Sequence, residues 1–493
     1  MTFSPETLLQ LILVLPLLGA AGIAITGRNP NLRESVTFIT AGIIFGLVIQ
    51  LYYTFTTSDS PIELHLLSLF PGLDIQFKLE PLGMIFALIA GFLWLITSLY
   101  GVGYMRGNNE QHQTRFFFCF PIAISATLGI AFAGNLLTLF IFYEVLTLST
   151  FPLVTHKGTE AAMKAGRVYL GILIATSICL LLPAIIWTWH ISGTTTFTPG
   201  GILGNHREDT MLALLAALFL FGIGKAAIMP VHRWLPAAMV APTPVSALLH
   251  AVAVVKAGVF SVVKVAVYIF GIDTLNDAAG SEYLLYVACF TVIMASIIAL
   301  RQDNLKRRLA YSTISQLSYV VLATMILAPI SIIGAAMHIA AHAFGKITLF
   351  FAAGSIYTAA HKTEISQLNG IGKRMPWTMG AFTIGALSMI GVPPAVGFIS
   401  KWYILMGAVQ AGQWLAIGVI VISTLLNAGY FVPIIYAAFF KEEDEQTRLH
   451  PHGEAPLAIV MALSITALMT VTLFLLPDIP LELARQIPTT AMR

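Results

Sequence analysis

Long apolar segments, separated by short polar connections, run through almost the whole chain. Each is long enough for a helix that crosses a hydrocarbon core, which needs roughly 20 residues, and none shows the period-2 alternation of an outer-membrane barrel strand. The pattern predicts an all-α polytopic membrane protein with about 14 transmembrane helices. The predicted spans lie near 7–26, 34–56, 81–105, 115–134, 135–155, 165–190, 210–230, 241–271, 281–300, 304–328, 331–360, 377–407, 412–440 and 455–477.

The connection between the second and third spans has a different pattern. In SPIELHLLSLFPGLDIQFKLEP the apolar residues alternate with polar ones, and Pro71 and Gly72 stand at the middle. Alternation around a turn dipeptide is typical of a β-hairpin. We therefore expect an external hairpin here rather than a helix.

Composition excludes a soluble domain. Hydrophobic residues make up 57% of the chain and charged residues only 10%, whereas soluble domains carry about 25% charged residues. The net charge of +3 and the lack of a basic cluster exclude a nucleic-acid partner. Glu6 precedes the first apolar run without any Lys or Arg, so this run is predicted to be a retained span rather than a signal peptide. Cys119, Cys179 and Cys289 each stand alone in apolar runs, which predicts core-filling thiols.

Basic residues divide unevenly between the two sets of connections. The even-numbered connections carry Lys78 and Arg207, and the odd-numbered ones carry sixteen: Arg28, Arg33, Arg106, Arg115, Lys157, Lys164, Arg167, Arg301, Lys306, Arg307, Arg308, Lys362, Lys373, Arg374, Lys441 and Arg448. The positive-inside rule then places the odd connections in the cytoplasm and both termini outside. We expect a multi-pass protein of a prokaryotic cell (inner) membrane.

Several charged residues fall inside the apolar segments or the short connection between the seventh and eighth spans. A charge at the bilayer centre costs at least about 2.5–3.5 kcal/mol and commonly marks an ion pathway. Buried Glu–Lys pairs can also simply hold helices together, although a whole series favours transport. The acidic residue is Glu144, and the basic ones are Lys225, Arg233, Lys256, Lys264, Lys346 and Lys401.

Proline interrupts two spans beside a lysine. Pro230 follows Lys225 in the seventh span, and Pro393 and Pro394 precede Lys401 in the twelfth. Broken helices at bilayer depth line cavities or lie buried in protein, and paired interruptions point to an ion path. Their spacing of five spans predicts two inverted five-helix repeats, spans 4–8 and 9–13. The expected units are 1–114 (helices 1–3 with the hairpin), 115–271 (first repeat), 281–440 (second repeat) and 441–493 (helix 14 and tail).

The eleventh span carries His338, His342 and Lys346 at i, i+4 and i+8, a spacing that aligns them along one helical stripe. Histidine titrates near working pH, so a proton relay suits this stripe. Zinc is the alternative, but no carboxylate or cysteine stands near, and HIAAH lacks the glutamate of HExxH. His250, in the eighth span, is either a relay member or a core histidine.

Together the runs GIGKAAIMPVHRWLPAAMVAPTPVSALLHA, FYEVLTLSTFPLV, NLKRRLAYSTISQLSY, MHIAAHAFGKITLFFAAGSI and GVPPAVGFISKW resemble the antiporter-like membrane subunits of Mrp-type cation/proton antiporters, complex I and membrane-bound hydrogenases. The layout is most similar to the Mrp member that lacks the extra C-terminal helices of its larger counterpart. The resemblance implies a proton-translocating subunit of a multisubunit Na+/H+ antiporter complex, with a redox-driven complex as the alternative. It also implies roles in proton translocation for Glu144 and Lys225 as a pair, for Lys256 or His250 as the bridge, for His338, His342 and Lys346 as the central relay, and for Lys401 as the terminal residue.

The chain carries no motif for an energy source of its own. It has no phosphate loop, nucleophile elbow, haem motif or CxxC pair. We therefore expect no cofactor and no metal, and partner membrane subunits that supply the drive. The exchanged cation, the drive, and the choice between His250 and Lys256 as the bridge stay open at this stage.

Overall fold

The computed structural model describes residues 3–58, 60–70, 73–206, 211–443 and 452–491. Helices account for most of this part of the chain. They are α1 (Pro5–Ile25), α2 (Pro30–Thr57), α3 (Pro81–Gly107), α4 (Gln113–Ala131), α5 (Leu136–Val154), α6 (Glu160–Ser192), α7 (Leu212–Gly222), α8 (Thr243–Phe270), α9 (Glu282–Leu300), α10 (Leu305–Met325), α11 (Pro329–Ala360), α12 (Pro376–Ile390), α13 (Gly397–Gln410), α14 (Trp414–Phe440), α15 (Leu457–Leu475) and α16 (Asp478–Ala491).

The predicted all-α membrane architecture is confirmed. In the described ranges, eleven helices are long and apolar enough to span a bilayer. The other three predicted spans correspond to α7 with its 3₁₀ continuation, to the more polar α10, and to the pair α12 and α13. The count of fourteen and the inverted repeats remain predictions. Within the described ranges, three α-helices lie outside the predicted spans: the short Trp234–Ala237 and Ile272–Asp277, and α16 in the segment expected to be only a tail.

The hairpin between α2 and α3 is also confirmed. Strand β1 (Glu63–Phe70) pairs antiparallel with β2 (Leu73–Lys78), and the register shifts twice along the ladder. Pro71 and Gly72, the predicted turn, lie outside the described residues. A bridge between Phe77 and Ala133 ties the hairpin to the α4–α5 connection. The external location of the hairpin remains a prediction.

Two helices occupy the centre of the molecule. The apolar windows of α8 and α11 are entirely buried, whereas those of α1, α2 and α15 are buried by less than half. Helix α11 packs against α3, α8, α10, α12, α13 and α15. Two turns of α8, Leu248–Val252 and Ala266–Phe270, are π-helical, a distortion that often accompanies functional sites.

Both predicted interruptions are present. Helix α7 ends at Gly222, and Lys225 lies in the 3₁₀ turn Gly224–Ala226 that follows. Helix α12 ends at Ile390, and Gly391 has a φ of +90° before α13 begins at Gly397. Each break therefore lies close to one of the lysines that the sequence singled out.

One expectation about the cysteines is wrong. Cys119 and Cys289 are buried, but Cys179 is exposed on the outside of α6. The apolar run around Cys179 indicates membrane depth, and a lipid-facing position satisfies the same pattern as a core position. Arg207 and Arg448, which were used in the charge count, lie outside the described residues.

Candidate functional site

Lys225 is held by neutral oxygens of α5. Its Nζ donates to the Tyr143 carbonyl at 2.8 Å and to Thr147 Oγ1 at 2.5 Å, and it lies 3.1 Å from the centre of the Tyr143 ring. The Lys225 side chain is fully buried. The interrupted helix thus places an amine against oxygens of the neighbouring helix.

Glu144 is not in contact with Lys225 in this structure. The ion pairs within 4.0 Å among the described residues do not include these two, and Glu144 Oε1 has no hydrogen-bond partner in the same ranges. Glu144 is only partly buried, and its neighbours on α5, Val145 and Leu148, are 38% and 58% exposed. In this structure, the Glu144 carboxylate and the Lys225 amine are therefore not joined by an ion pair.

Lys256 joins the two central helices. Its Nζ lies 2.8 Å from Nδ1 of His342, and both side chains are fully buried. His250, one and a half turns earlier on α8, packs against the Phe350 ring with centroids 4.7 Å apart. Neither of its nitrogens has a hydrogen-bond partner among the described residues. Lys256 therefore makes a polar contact between α8 and α11, whereas His250 contacts α11 through an aromatic ring.

A second contact leads from α11 to the broken twelfth segment. His338 Nδ1 lies 2.9 Å from Ser400 Oγ, next to Lys401 in sequence. The Nζ of Lys401 donates to the carbonyls of Met389 and Ile390 at 2.9 and 3.0 Å. The break after Ile390 leaves these carbonyls without helical partners. An open cavity of about 230 Å³ lies beside Lys401.

A series of hydrogen bonds also connects Lys346 with Lys401. Its Nζ donates to Ser312 Oγ at 2.8 Å, and the Tyr430 hydroxyl lies 3.1 Å from that oxygen. Tyr430 also donates to Asn427 Oδ1, and Asn427 Nδ2 donates to the Met389 carbonyl at 3.3 Å. Because Lys401 shares the Met389 carbonyl, the contacts form a continuous series from Lys346 to Lys401.

The residues of this series were missed by sequence reasoning. Ser312, Asn427 and Tyr430 are small or neutral, so they do not stand out as charges do. A weak signal existed in Asn427, a lone amide within the apolar α14, with Tyr430 one turn later. Sequence reasoning also took Glu144 as the one acid inside the apolar segments, whereas Glu34 and Glu80, at helix ends, are more deeply buried.

The arrangement can hold protons on a succession of nitrogen atoms. The rings of His338 and His342 are 6.3 Å apart, and their Nδ1 atoms contact different partners. Both Nε2 atoms, and the buried amide of Gln316, lack hydrogen-bond partners among the described residues. Buried polar atoms of this kind are usually satisfied by ordered water. The site is therefore suited to proton exchange between side chains.

Comparison with known proteins identifies the family. The model described as "NADH:quinone oxidoreductase/Mrp antiporter, TM" matches residues 133–427. The chain belongs to this family. Glu144, Lys401 and the six candidate residues between them all lie within the matched range, whereas the hairpin and α3 precede it.

One sequence relative and two solved structures are similar to most of this chain. NADH-quinone oxidoreductase subunit N of Desulforudis audaxviator is 32% identical over 379 residues, 75% of this chain and 74% of that protein. A chain of the Mrp complex from a Dietzia species superposes with a TM-score of 0.87 at 21% identity, covering 99% and 97% of the two chains. A chain of an archaeal membrane-bound sulfane sulfur reductase gives 0.85 at 22% identity, covering 98% of each.

These neighbours show which fold and which kind of complex the chain resembles. The two superpositions show that the fold is that of the antiporter-like subunits, and both neighbours come from multisubunit membrane complexes. The chain is thus a multi-pass integral membrane protein of a proton-translocating family. Antiporter and respiratory complexes are both represented among its relatives.

Proposed function

We propose that this chain is the proton-translocating subunit of a multisubunit monovalent cation/proton antiporter complex, with Na+ as the exchanged cation. The observation that carries the proposal is the 2.8 Å contact between Lys256 Nζ and His342 Nδ1. It joins an amine and an imidazole in a fully buried position between α8 and α11. Two basic nitrogens at this distance share one proton, which can reside on either of them.

The remaining candidate residues extend this contact in both directions. Lys225 lies on the α7 side, and Glu144 is partly buried on α5, where movement toward Lys225 favours the charged amine and movement away releases its proton. On the other side, His338 and Lys346 lead by separate contacts to Lys401 and its cavity. The chain itself supplies acids and bases, and the driving reaction belongs to partner subunits.

A redox-driven complex is the second candidate. The relative at 32% identity carries the name of a NADH-quinone oxidoreductase subunit and is matched over three quarters of both chains. The same buried series serves either drive, because nothing in it depends on the energy source. Proton movement in membranes that contain the whole complex distinguishes the two: an imposed Na+ gradient drives it in the first case, and an electron donor in the second.

The test is the substitution His342→Gln in the whole complex. Glutamine can still accept a hydrogen bond from Lys256 but cannot take up a proton, so helix packing is retained and the relay is lost. We expect normal amounts of assembled complex and proton movement reduced by about 100-fold, the lower end of what a positioned acid–base group contributes. His190→Gln, at an exposed histidine of α6, is the matched control. Wild-type proton movement in the His342→Gln complex contradicts the proposed path.

A further inference from the structure

A second buried ion pair lies away from the series described above. Glu80 Oε2 is 3.1 Å from Lys264 Nζ, and the two side chains are 6% and 0% exposed. The Lys264 Nζ also donates to the Ala133 carbonyl at 2.6 Å and lies 4.5 Å from the Phe197 ring centre. Residues from α3, α8 and two connections, α4–α5 and α6–α7, therefore converge on this pair.

Glu80 does not act as an ordinary helix cap. It is the N-cap residue of α3, yet its side chain accepts no hydrogen bond from the first turn. Both carboxylate oxygens are buried and, within the described ranges, neither has a hydrogen-bond donor in suitable alignment. An acidic N-cap side chain normally satisfies these backbone groups. Here the carboxylate turns inward to the amine and keeps free capacity to accept a proton.

The pair lies between the central contact and the hairpin. Lys264 is eight residues beyond Lys256 on α8, about 12 Å along the helix axis. Glu80 immediately follows the hairpin, whose own ion pair, Lys78 with Glu63 at 3.0 Å, is 27% and 38% exposed. Lys78 and Glu63 are also the other charged groups that act on the buried pair. From Lys256 to Glu63, titratable groups thus lead from a fully buried position to an exposed one.

We propose that Glu80 and Lys264 form the outer proton-exchange site of this chain, which connects Lys256 with the aqueous phase on the hairpin side. The Lys264 ammonium gives its proton to the Glu80 carboxylate, leaving an amine and a carboxylic acid. The acid then releases the proton to water and becomes a carboxylate again. The neutral Lys264 accepts the next proton from the Lys256 side through water. This inference rests on the proposed function, because it assumes that Lys256 carries protons.

The decisive variant removes both charges. Glu80→Gln or Lys264→Met alone leaves a buried charge unpaired, which destabilises a membrane protein whatever the role of the pair. The double variant Glu80→Gln/Lys264→Met leaves none, so a purely structural pair predicts recovery of both assembly and proton movement. An exchange site predicts recovered assembly with proton movement still lowered by about tenfold or more. Glu6→Gln, at an exposed glutamate of α1 away from the hairpin series, should leave the rate unchanged.

If the double variant does not assemble, a second variant tests the proposal. Glu80→Asp keeps a titratable carboxylate but shortens its reach to Lys264, so the dependence of the rate on the pH of the hairpin-side solution should shift. An unchanged pH profile, or a double variant that moves protons at the wild-type rate, overturns the proposal. The variant Lys256→Met, measured in the same membranes, distinguishes failure of the outer site from failure of the proposed function. If it abolishes proton movement while the pair variants do not affect it, only the outer site is wrong. If it too has no effect, the proposed function is wrong.

Discussion

At the scale of single residues, Lys225, Lys346 and Lys401 share one kind of environment. Lys225 and Lys401 donate to main-chain carbonyls, and Lys346 donates to a serine hydroxyl. Neutral oxygens bind an ammonium group less strongly than a carboxylate does. A lysine held in this way can lose its proton without leaving an unpaired buried carboxylate.

The hydroxyl of Tyr430 links Ser312 with Asn427, so Tyr430→Phe tests the second route from Lys346. The ring and its packing remain, and only the hydroxyl is lost. We expect about 1 kcal/mol of destabilisation and a fall in proton movement on the order of tenfold. Thermal stability of the purified complex and proton movement in vesicles measure the two effects. Tyr436→Phe, at a tyrosine of the same helix that is 56% exposed, is the control. Equal rates for the two variants would show that the His338 contact suffices.

Sequence reasoning found the charged residues of the site but not how they pair. Lys256 and His342 were both chosen because a titratable group in an apolar run is costly, and that cost depends only on membrane depth. Whether Glu144 contacts Lys225 depends on the rotamer and on the packing of α5 against the broken segment. No local sequence pattern determines the rotamer or the packing. The neutral side chains Ser312 and Asn427 cost less free energy to bury than a charge, so they do not stand out in the sequence.

At the scale of elements, both helix interruptions bring a lysine to backbone carbonyl groups, but the carbonyls belong to different helices in the two cases. The break after α7 brings Lys225 to oxygens of a neighbouring helix, and the break after α12 exposes the carbonyls of its own last turn to Lys401. A continuous helix satisfies its carbonyls internally and has none to offer. The prolines that revealed these breaks in the sequence follow the last residues of α7 and α12 along the chain.

Gly391 lies at the second break, and Gly391→Ala tests its importance. Its φ is +90°, and a Cβ added there would lie 2.6 Å from Cδ of Lys401. The variant should lose about 1–2 kcal/mol of stability from backbone strain, and proton movement should fall because the lysine is displaced from its carbonyls. Gly412, with a φ of +65° and open space around its added Cβ, gives the matched variant Gly412→Ala. If both variants lose the same stability and neither loses proton movement, the position of Lys401 does not depend on Gly391.

Helix prediction was most accurate where apolar runs were uninterrupted, as in α5 and α9, because such a run has only one way to satisfy its backbone in a membrane. The hairpin was also predicted correctly, since its alternation differs from every span. Helix α16 was missed because its sequence, DIPLELARQIPTTA, is amphipathic rather than apolar. It packs against α3 and α11, so tertiary contacts rather than hydrophobicity determine it.

At the scale of the whole molecule, α8 places the candidate groups in order across the membrane. Thr243 begins the helix and lines a cavity of about 180 Å³ together with Lys157, Lys306 and Lys362. His250, Lys256 and Lys264 follow along the same helix toward the hairpin side. If the positive-inside prediction is correct, this order runs from the cytoplasm to the outside.

The direction of that order depends on the orientation of the chain, which cysteine labelling can determine. Ser60, at the base of the hairpin, is exposed, and Gln302 lies in the basic connection between α9 and α10. In a chain whose three native cysteines are replaced by alanine, Ser60→Cys should react with an impermeant thiol reagent added outside intact cells. Gln302→Cys should react only in inverted vesicles, because fourteen spans place these two connections on opposite sides. Labelling of both cysteines from one side would mean that an even number of spans, rather than the predicted odd number, separates them. Labelling of each from the side opposite to that predicted would invert the path, and Glu80 and Lys264 would then exchange protons with the cytoplasm.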